Sequence, residues 1–257
     1  MTAATYTLAD TRTLLHRNLV HAARYPAMSL STLLMPLIFL LLFRYAFGNA
    51  LGAGIGGSYI TYLTPGVLIM TATSSMVGTA VSVCTDMTEG VVDRLRTMSI
   101  SRFALLAGHA LGNVSQTLLS MGVLLGVAVA IGFRSHAGAL QWLGAIGVAA
   151  LTAWAMTWVA MAMGLSAKAP EGASNLPMPM ILLPFLSSAF VPAASMSPGL
   201  RQFAEYQPFT PITETLRGLL LGTHIGGEWI LAVGWCVVLT VVGYVFSRRL
   251  FDRRAEL

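Results

Sequence analysis

The stretch LQWLGAIGVAALTAWAMTWVAMAMGL, residues 140–165, decides the fold, because it contains no Asp, Glu, Lys or Arg. A helix needs about 20 apolar residues to cross the roughly 30 Å hydrocarbon core of a bilayer, and this stretch exceeds that length. The whole chain has the same character, since 56% of its 257 residues are hydrophobic and 10% are charged. A soluble domain has about 25% charged residues. The composition therefore excludes a water-soluble fold and predicts a membrane protein.

Five further apolar segments flank this stretch on both sides. The six predicted transmembrane segments cover about residues 27–47, 59–83, 104–133, 140–165, 176–191 and 229–247. The fifth contains Pro177, Pro179 and Pro184, so we expect its helix to be kinked or broken, which a membrane protein tolerates where neighbours satisfy the freed backbone groups. The predicted fold class is all-α: a polytopic membrane protein with six transmembrane helices.

The segments outside these spans are predicted to complete one transmembrane domain over residues 1–257. Residues 27–194 would hold spans one to five, 228–247 span six and 248–257 a cytoplasmic tail. In residues 1–26, Leu8, Leu15 and Leu19 recur at helical spacing with Arg17 and Arg24 on the other side. This pattern is typical of a helix that lies in the membrane interface. An ordinary polar terminus is the alternative.

The segment 195–227, between spans five and six, is predicted to form two short external helices. Thr210 and Pro211 make a helix start and Gly222 a helix end, with an apolar face and a Glu214–Arg217 pair between them. At 1.5 Å per residue this helix reaches roughly 16 Å, too short to span a membrane. We therefore expect re-entrant helices that dip into the outer leaflet.

The basic residues are distributed unequally between the two sides of the predicted membrane. One side holds Arg12, Arg17, Arg24, Arg94, Arg96, Arg102, Lys168, Arg248, Arg249, Arg253 and Arg254, and the other holds Arg134, Arg201 and Arg217. Short cytoplasmic loops carry the excess of Lys and Arg in membrane proteins. Both termini are therefore predicted to be cytoplasmic.

The sequence lacks the motifs that would indicate a nucleic-acid-binding or enzymatic function. The net charge of +5 comes without a nucleic-acid-binding motif or a basic patch on a soluble face. Lys168, the one lysine, is followed by Ala169, so the phosphate-binding pattern GxxxxGK[ST] is missing. Cys84 and Cys236 lie far apart, with no metal-ligand spacing. We expect a chain that is not an enzyme and holds no cofactor or metal itself.

Two polar stripes run along predicted spans two and three and supply a candidate substrate path. Its members are Ser75, Thr79, Asn113 and Gln116. The alternative is packing: hydroxyls bonded to carbonyls one turn back in span two, and amides bonded between helices in span three. His109 begins the second stripe and is the candidate for a proton relay, because the predicted hydrocarbon spans hold no Asp or Glu.

The cytoplasmic loop TDMTEGVVDRLRTMSISR, residues 85–102, is rich in charge for this chain. Its acids Asp86, Glu89 and Asp93 recur at helical spacing, next to Arg94 and Leu95. A topological anchor explains the arginines through the positive-inside rule but leaves the three acids unexplained. The pattern favours a docking element.

Two segments of the chain resemble the permeases of type-2 ABC exporters. EGVVDRLRT, residues 89–97, resembles their cytoplasmic coupling loop, and PFTPITETLRGLL, residues 208–220, resembles their signature before the last span. With the six-span layout, the resemblance covers nearly the whole chain. It is greatest to drug-efflux permeases of the daunorubicin-resistance type.

This resemblance implies the membrane half of an ATP-driven exporter in a bacterial plasma membrane. The substrate would be hydrophobic or amphiphilic: a drug, an antibiotic or a lipid-like molecule. The implied partners are two copies of an ABC ATPase, which bind ATP and Mg, and a second copy of the chain or a paralogous permease, all among membrane lipids and without nucleic acid. The implied coupling residues are Arg17, Asp86, Glu89, Asp93, Arg94 and Leu95, and the implied external gate comprises Pro208, Pro211, Glu214 and Arg217.

Two other classes of function remain open. An ATP-independent secondary transporter or channel would depend on His109 and on a proton gradient. A non-transporting scaffold or an intramembrane enzyme would show no substrate-dependent ATP hydrolysis with any partner.

Overall fold

The computed structural model describes residues 26–52, 58–88 and 102–254, and the regular structure within these ranges is helical throughout. The α-helices are α1 Pro26–Tyr45, α2 Gly48–Gly52, α3 Tyr59–Thr88, α4 Arg102–Ala130, α5 Ala139–Ser166, α6 Pro170–Asn175, α7 Met178–Leu182, α8 Pro198–Tyr206, α9 Phe209–Leu221 and α10 Glu228–Arg254. Two short 3-10 helices cover Leu183–Leu186 and Ala193–Ser195. The predicted all-α class is confirmed for this part of the chain.

Several features predicted from the sequence lie outside the described residues. They are the interfacial helix before Pro26 and the coupling residues Arg17, Glu89, Asp93, Arg94 and Leu95. Of the implied coupling residues, Asp86 alone lies within the described ranges.

Long apolar helices make the chain a multi-pass membrane protein. Four helical stretches in the described ranges are long and apolar enough to cross a bilayer: Tyr59–Thr88, Ala107–Ala130, Ala139–Ser166 and Glu228–Phe251. A shorter apolar helix, Leu33–Tyr45, lies within the first predicted span.

The fifth predicted span is broken, as its prolines predict. Residues 170–186 form α6, α7 and the 3-10 helix Leu183–Leu186 in succession, with Pro177 immediately before α7. Each proline removes a backbone N–H and restricts the residue before it, and the three prolines between residues 177 and 184 together favour a break. We call residues 170–186 the broken segment.

Helix α3 extends beyond the end of the second predicted span. Hydropathy ends this span near residue 83, but α3 continues to Thr88, whose hydroxyl donates to the Cys84 carbonyl at 3.1 Å. Charged residues end a hydrocarbon-spanning stretch without ending a helix, because backbone hydrogen bonds persist outside the membrane. Asp86 therefore lies in the last turn of α3 and not in a loop. In the same way, α10 continues past residue 247 to Arg254.

Helix α3 lies at the centre of the bundle. It is buried along most of its length, as expected of a helix enclosed by others. It contacts α1, α4, α5 and α9, and the Cys84 thiol donates to the Ala167 carbonyl just after α5 at 3.6 Å.

Helix α5 packs in turn against α10. The ring of Trp158 on α5 meets Tyr244 on α10 edge to face, with 5.0 Å between ring centroids. The hydroxyl of Thr152 on α5 lies 3.8 Å from the thiol of Cys236 on α10. These contacts complete a core that includes α3, α5, α9 and α10.

The outer surface of the bundle is apolar. Large exposed hydrophobic side chains include Leu34, Met35 and Ile38 of α1, Leu119 and Val123 of α4, Leu140 and Leu143 of α5, and Ile230, Val238, Val241 and Phe246 of α10. An apolar surface on so many helices is too large for a water-soluble monomer and suits contact with lipid.

Candidate functional site

The short helix α9 is held inside the bundle by buried side chains on several faces. Ile212, Thr213 and Leu216 are at most 1% exposed, and α9 contacts α3, α5 and α10. The helix begins at Phe209, so Pro211 occupies its third position and not its first. Proline is tolerated there because the first N–H groups of a helix have no intrahelical partner. Pro208 precedes the helix as its cap residue.

The predicted end of this helix is confirmed. Gly222 follows Leu221 in the left-handed conformation, with φ of 71°, which glycine adopts without steric cost. A Cβ atom at this position would lie 2.9 Å from the His136 carbonyl oxygen, so the close approach also requires glycine. The hydroxyl of Ser135, between α4 and α5, donates to the Leu220 carbonyl at 2.6 Å and anchors the same end of α9.

Arg217 of α9 makes several polar contacts with other elements. It is 8% exposed, pairs with Glu214 one turn earlier and donates through Nε and Nη2 to the Tyr62 carbonyl at 3.3 and 3.2 Å. Nη2 also donates to the Ser188 carbonyl at 2.9 Å. The guanidinium carbon lies 3.8 Å from the centre of the Tyr62 ring, in a cation–π contact.

These contacts connect three parts of the chain, and we call Tyr62, Ser188, Glu214 and Arg217 the Arg217 cluster. The Tyr62 hydroxyl donates to the same Ser188 carbonyl at 2.7 Å. A buried guanidinium is stable only with most of its donors paired, and its planar fork suits several acceptors at once. The cluster therefore fixes α9 against the start of α3 and against the turn that follows the broken segment.

A second set of contacts connects the start of α9 to the broken segment. The Gln207 side chain donates through Nε2 to the carbonyls of Leu183 and Leu186, at 3.2 and 2.7 Å. The Ser188 N–H donates to the Thr210 hydroxyl at 3.2 Å. These side chains satisfy backbone groups that the broken helix leaves free.

An open groove of about 970 Å³ lies between α1, α3 and the broken segment. Its lining residues are Met35 and Phe39 of α1, Met70, Ser74, Val77, Gly78, Val81, Ser82, Thr85 and Asp86 of α3, and Met178, Ile181, Leu182 and Phe185 of the broken segment. Methionine and phenylalanine side chains form adaptable apolar surfaces, which suit ligands of varied shape. We call this cavity the groove.

The residues predicted from span two to line a path lie beside the groove and not in its lining. The Ser75 hydroxyl donates to the Ala72 carbonyl at 2.8 Å, and the Thr79 hydroxyl donates to the Ser75 carbonyl at 3.1 Å. Both side chains are buried. The neighbouring positions Ser74, Gly78 and Ser82 line the groove instead. These hydroxyls bond to carbonyls of their own helix, which is the geometry expected if Ser75 and Thr79 serve helix packing and not a substrate path.

The predicted stripe on α4 contributes a hydrogen bond between helices. Asn113 donates through Nδ2 to the Thr157 hydroxyl of α5 at 2.7 Å, which is an interhelical bond of the kind that packs membrane helices together. Gln116, one turn further, is half-buried. A path through these two residues stays a prediction.

His109 and Asp86 are in contact and join α4 to α3. His109 Nε2 lies 3.0 Å from Asp86 Oδ2, and the two side chains are 24% and 27% exposed. Asp86 also lines the groove. His109 is the predicted candidate for a proton relay and Asp86 a predicted docking residue, and the contact between them was not predicted.

Sequence reasoning missed Tyr62, Gln207 and Ser188. Tyr59 and Tyr62 lie at the start of span two, where tyrosine weakly indicates a membrane interface, because aromatic side chains with a polar tip are enriched there. No local pattern indicated Gln207 or Ser188, since their partners come from other elements.

Comparison with known proteins places the chain among transport proteins. A family model described as ABC-2 type transporter matches residues 9–221. The daunorubicin resistance ABC transporter permease protein DrrB1 of Streptomyces coeruleorubidus is 32% identical over 232 residues, which cover 90% of this chain and 81% of that protein. The probable doxorubicin resistance ABC transporter permease protein DrrC of Mycobacterium tuberculosis (strain CDC 1551 / Oshkosh) is 23% identical over 249 residues, covering 94% of this chain and 90% of that protein.

Proposed function

This chain belongs to the ABC-2 type transporter family, and from that premise we propose that it is the permease subunit of an ATP-driven exporter. The cargo is a hydrophobic or amphiphilic molecule: a drug, an antibiotic or a lipid-like compound. The proposal is supported by the names of its relatives, which are drug-resistance permeases, and by one structural observation, the groove.

The groove supports the proposal because the helices that form it belong to three different predicted spans. It lies between α1, α3 and the broken segment, which correspond to predicted spans one, two and five. In an ABC exporter, motion of the ATPase subunits has to reach the membrane helices that surround the cargo. The proposal is that two copies of the chain, or this chain and a paralogous permease, face each other across their grooves and enclose the path.

The proposed topology has six spans with both termini in the cytoplasm of a bacterium. The four long apolar helices supply four spans, and α1 and the broken segment supply the other two. Helices α8 and α9 then lie between spans five and six as re-entrant helices on the external side. Arg248 and Arg249 near the end of α10, and Lys168 after α5, support this orientation through the positive-inside rule.

The proposed energy source is a separate ABC ATPase, present in two copies, which binds ATP and Mg. It docks on the cytoplasmic loop through Glu89, Asp93, Arg94 and Leu95, with Arg17 of the N-terminal segment beside it. In this arrangement Asp86, in the last turn of α3, lies close to the docking loop in sequence. At the other end of the bundle, the external gate comprises Pro208, Pro211, Glu214 and Arg217.

The experiment that tests this proposal is assembly with the neighbouring ATPase. The chain is co-expressed with the ATPase encoded beside it, purified in lipid nanodiscs and assayed for subunit ratio and ATP hydrolysis. We expect a complex of two permeases and two ATPases, whose hydrolysis rises when amphiphilic drugs are added. The matched control is a Walker-lysine variant of the ATPase, which assembles and does not hydrolyse ATP. Failure of the two proteins to associate would contradict the proposal.

A second candidate, a transporter that works without ATP, takes its support from the His109–Asp86 contact, because proton-driven transporters use relays of Asp, Glu and His side chains. It predicts that efflux continues without the ATPase and stops with a protonophore or in His109→Ala. Membership of the ABC-2 family favours the first candidate.

A further inference from the structure

A narrow cleft of about 250 Å³ runs along the contact between α5 and α10, and we call it the α5–α10 cleft. Its lining includes Val159, Ala162 and Ser166 of α5, and Val242, Phe246 and Leu250 of α10. From Val242 to Leu250 it extends about 12 Å at 1.5 Å per residue. One leaflet holds about half of the roughly 30 Å hydrocarbon core, so the cleft follows most of one leaflet.

The cleft is apolar and opens onto the outer surface of the bundle. Val242 and Phe246 are 47% and 55% exposed. Gly243, which also lines the cleft, packs directly on α5, where a Cβ atom would lie 2.7 Å from the Val159 backbone nitrogen. Ala162 and Gly243 therefore leave room between the larger side chains of Met163 and Phe246. Methionine and phenylalanine adapt to flexible apolar ligands, so the walls suit an acyl chain.

One end of the cleft is basic. Helices α5 and α10 run in the same direction, because Gly243 packs on Val159, and Phe251 belongs to the same buried cluster as Leu165. Their ends therefore lie together, and the exposed basic residues there are Lys168, Arg248 and Arg249. Ion pairs between described residues involve none of these three. Residues 166–171 and 247–254 together contain five basic residues and two acidic ones.

The two neighbouring arginines occupy different sides of α10. Arg249 follows Phe246 by three residues and Val242 by seven, so helical spacing places it on the cleft side. Arg248 follows Phe246 by two residues and Val241 by seven, which places it on another side. The positive-inside rule accounts for basic residues at this end of the helix, but it does not choose a side.

We propose that the α5–α10 cleft binds one anionic phospholipid, whose acyl chain lies along Val242 and Phe246 and whose phosphate contacts Arg249 and Lys168. Charge complementarity identifies this occupant, because basic pockets between transmembrane helices bind anionic lipid headgroups. The guanidinium fork of Arg249 suits the phosphate oxygens. This site is separate from the groove, and its role depends on neither the cargo nor the ATPase.

The test is native mass spectrometry of the full chain in detergent, titrated with phosphatidylglycerol or with phosphatidylcholine of the same acyl chains. The spectra give the number of lipids bound per chain and the oligomeric state together. The charge variants are Arg249→Gln, Arg249→Lys and Lys168→Gln, with Arg248→Gln as the matched control. Ala162→Leu fills the cleft without changing the charge, and Ala130→Leu adds the same bulk at an exposed position of α4.

We expect one phosphatidylglycerol per chain, bound about twentyfold more tightly than phosphatidylcholine. Arg249→Gln and Lys168→Gln should each weaken its binding about fivefold, the effect of one basic side chain near an anionic headgroup. Arg248→Gln should change it less than about twofold, and Arg249→Lys, which keeps the charge, less than about threefold. Ala162→Leu should weaken it about fivefold, because the added side chain displaces part of the acyl chain.

Four results would overturn the proposal. Equal losses in Arg248→Gln and Arg249→Gln would show a general attraction to the basic end and no site. Equal binding of the two lipids by the wild type would remove the role of charge. Unchanged phosphatidylglycerol binding in Ala162→Leu, with Ala130→Leu also unchanged, would place the lipid outside the cleft. Binding of neither lipid, with dimers lost in Ala162→Leu and kept in Ala130→Leu, would make the second copy the occupant. The ATPase is absent throughout, so these results leave the proposed function to its own test.

Discussion

Arg217 shows at the residue scale how one side chain can connect distant parts of a membrane protein. Its guanidinium is buried and shared between Glu214 and the carbonyls of Tyr62 and Ser188. Removing it leaves buried acceptors without a donor, and breaking such a network costs about 3 kcal/mol or more. The chain also offers a second arginine–carboxylate pair for comparison, Arg201 with Glu205 at 2.7 Å, which is about half exposed.

We therefore predict that Arg217→Ala lowers the free energy of unfolding by about 3 kcal/mol. Arg217→Lys should lower it by an intermediate amount, about 1–2 kcal/mol, because an ammonium cannot reproduce the planar fork. Arg201→Ala, the control, should change it by less than about 0.5 kcal/mol, since exposed pairs contribute little. The measurement is the midpoint of unfolding in nanodiscs or in mixed micelles. Equal effects of Arg217→Ala and Arg201→Ala would contradict the structural role of the cluster.

At the element scale, the fit between α3 and the turn after the broken segment depends on Gly66. A Cβ atom at Gly66 would lie 2.4 Å from the Ala189 carbonyl oxygen and 2.7 Å from the Ala189 Cβ. Backbone has to move to relieve such a contact. Ala189 follows Ser188, so the movement would also reach the Arg217 cluster.

Gly66→Ala should destabilise the protein by about 1–3 kcal/mol, the usual cost of overpacking. Gly78→Ala is its control on the same helix, because nothing lies within 4 Å of a Cβ atom there. That variant should be neutral or stabilising by up to about 1 kcal/mol, since alanine favours helix more than glycine does. Thermal unfolding of the two variants side by side checks the prediction. A Gly66→Ala variant as stable as Gly78→Ala would show that this close contact does not exist.

The sequence predicted those elements whose signals are local. The short helix before the last span, its end at Gly222 and the Glu214–Arg217 pair follow from spacing within one turn, and the structure has all three. The break in span five follows from its prolines. The Tyr62 and Ser188 partners of Arg217 and the His109 partner of Asp86 were not predictable, because they join residues far apart in the chain. Helix α3 extends beyond the second predicted span because hydropathy marks where the hydrocarbon ends, not where the backbone hydrogen bonds end.

At the scale of the whole molecule, we propose that the action of an ATPase partner reaches the spans through α3. The proposed docking loop follows α3 in the sequence, and α3 lines the groove and contributes Tyr62 to the Arg217 cluster. A displacement of the loop would therefore act on a helix that touches both features. Helix α3 is the element through which we expect coupling to pass.

The acids of the docking loop give a test of this coupling. Glu89→Ala combined with Asp93→Ala should leave membrane insertion and thermal stability unchanged and should abolish drug-stimulated ATP hydrolysis in the complex. The matched control is Glu171→Ala with Glu205→Ala, which removes two exposed carboxylates elsewhere. Normal drug efflux by the Glu89 and Asp93 double variant would exclude the loop as the docking element.

The central claim, that this chain exports amphiphiles with energy from an ATPase partner, is tested most directly by transport in a reconstituted system. Proteoliposomes that contain the chain and its ATPase neighbour, with the ATPase facing outward, receive ATP and a fluorescent amphiphilic cation, and accumulation inside is followed over time. The account predicts uptake that requires ATP and both proteins and persists with a protonophore. Uptake by the chain alone, driven by a proton gradient and stopped by the protonophore, would contradict it.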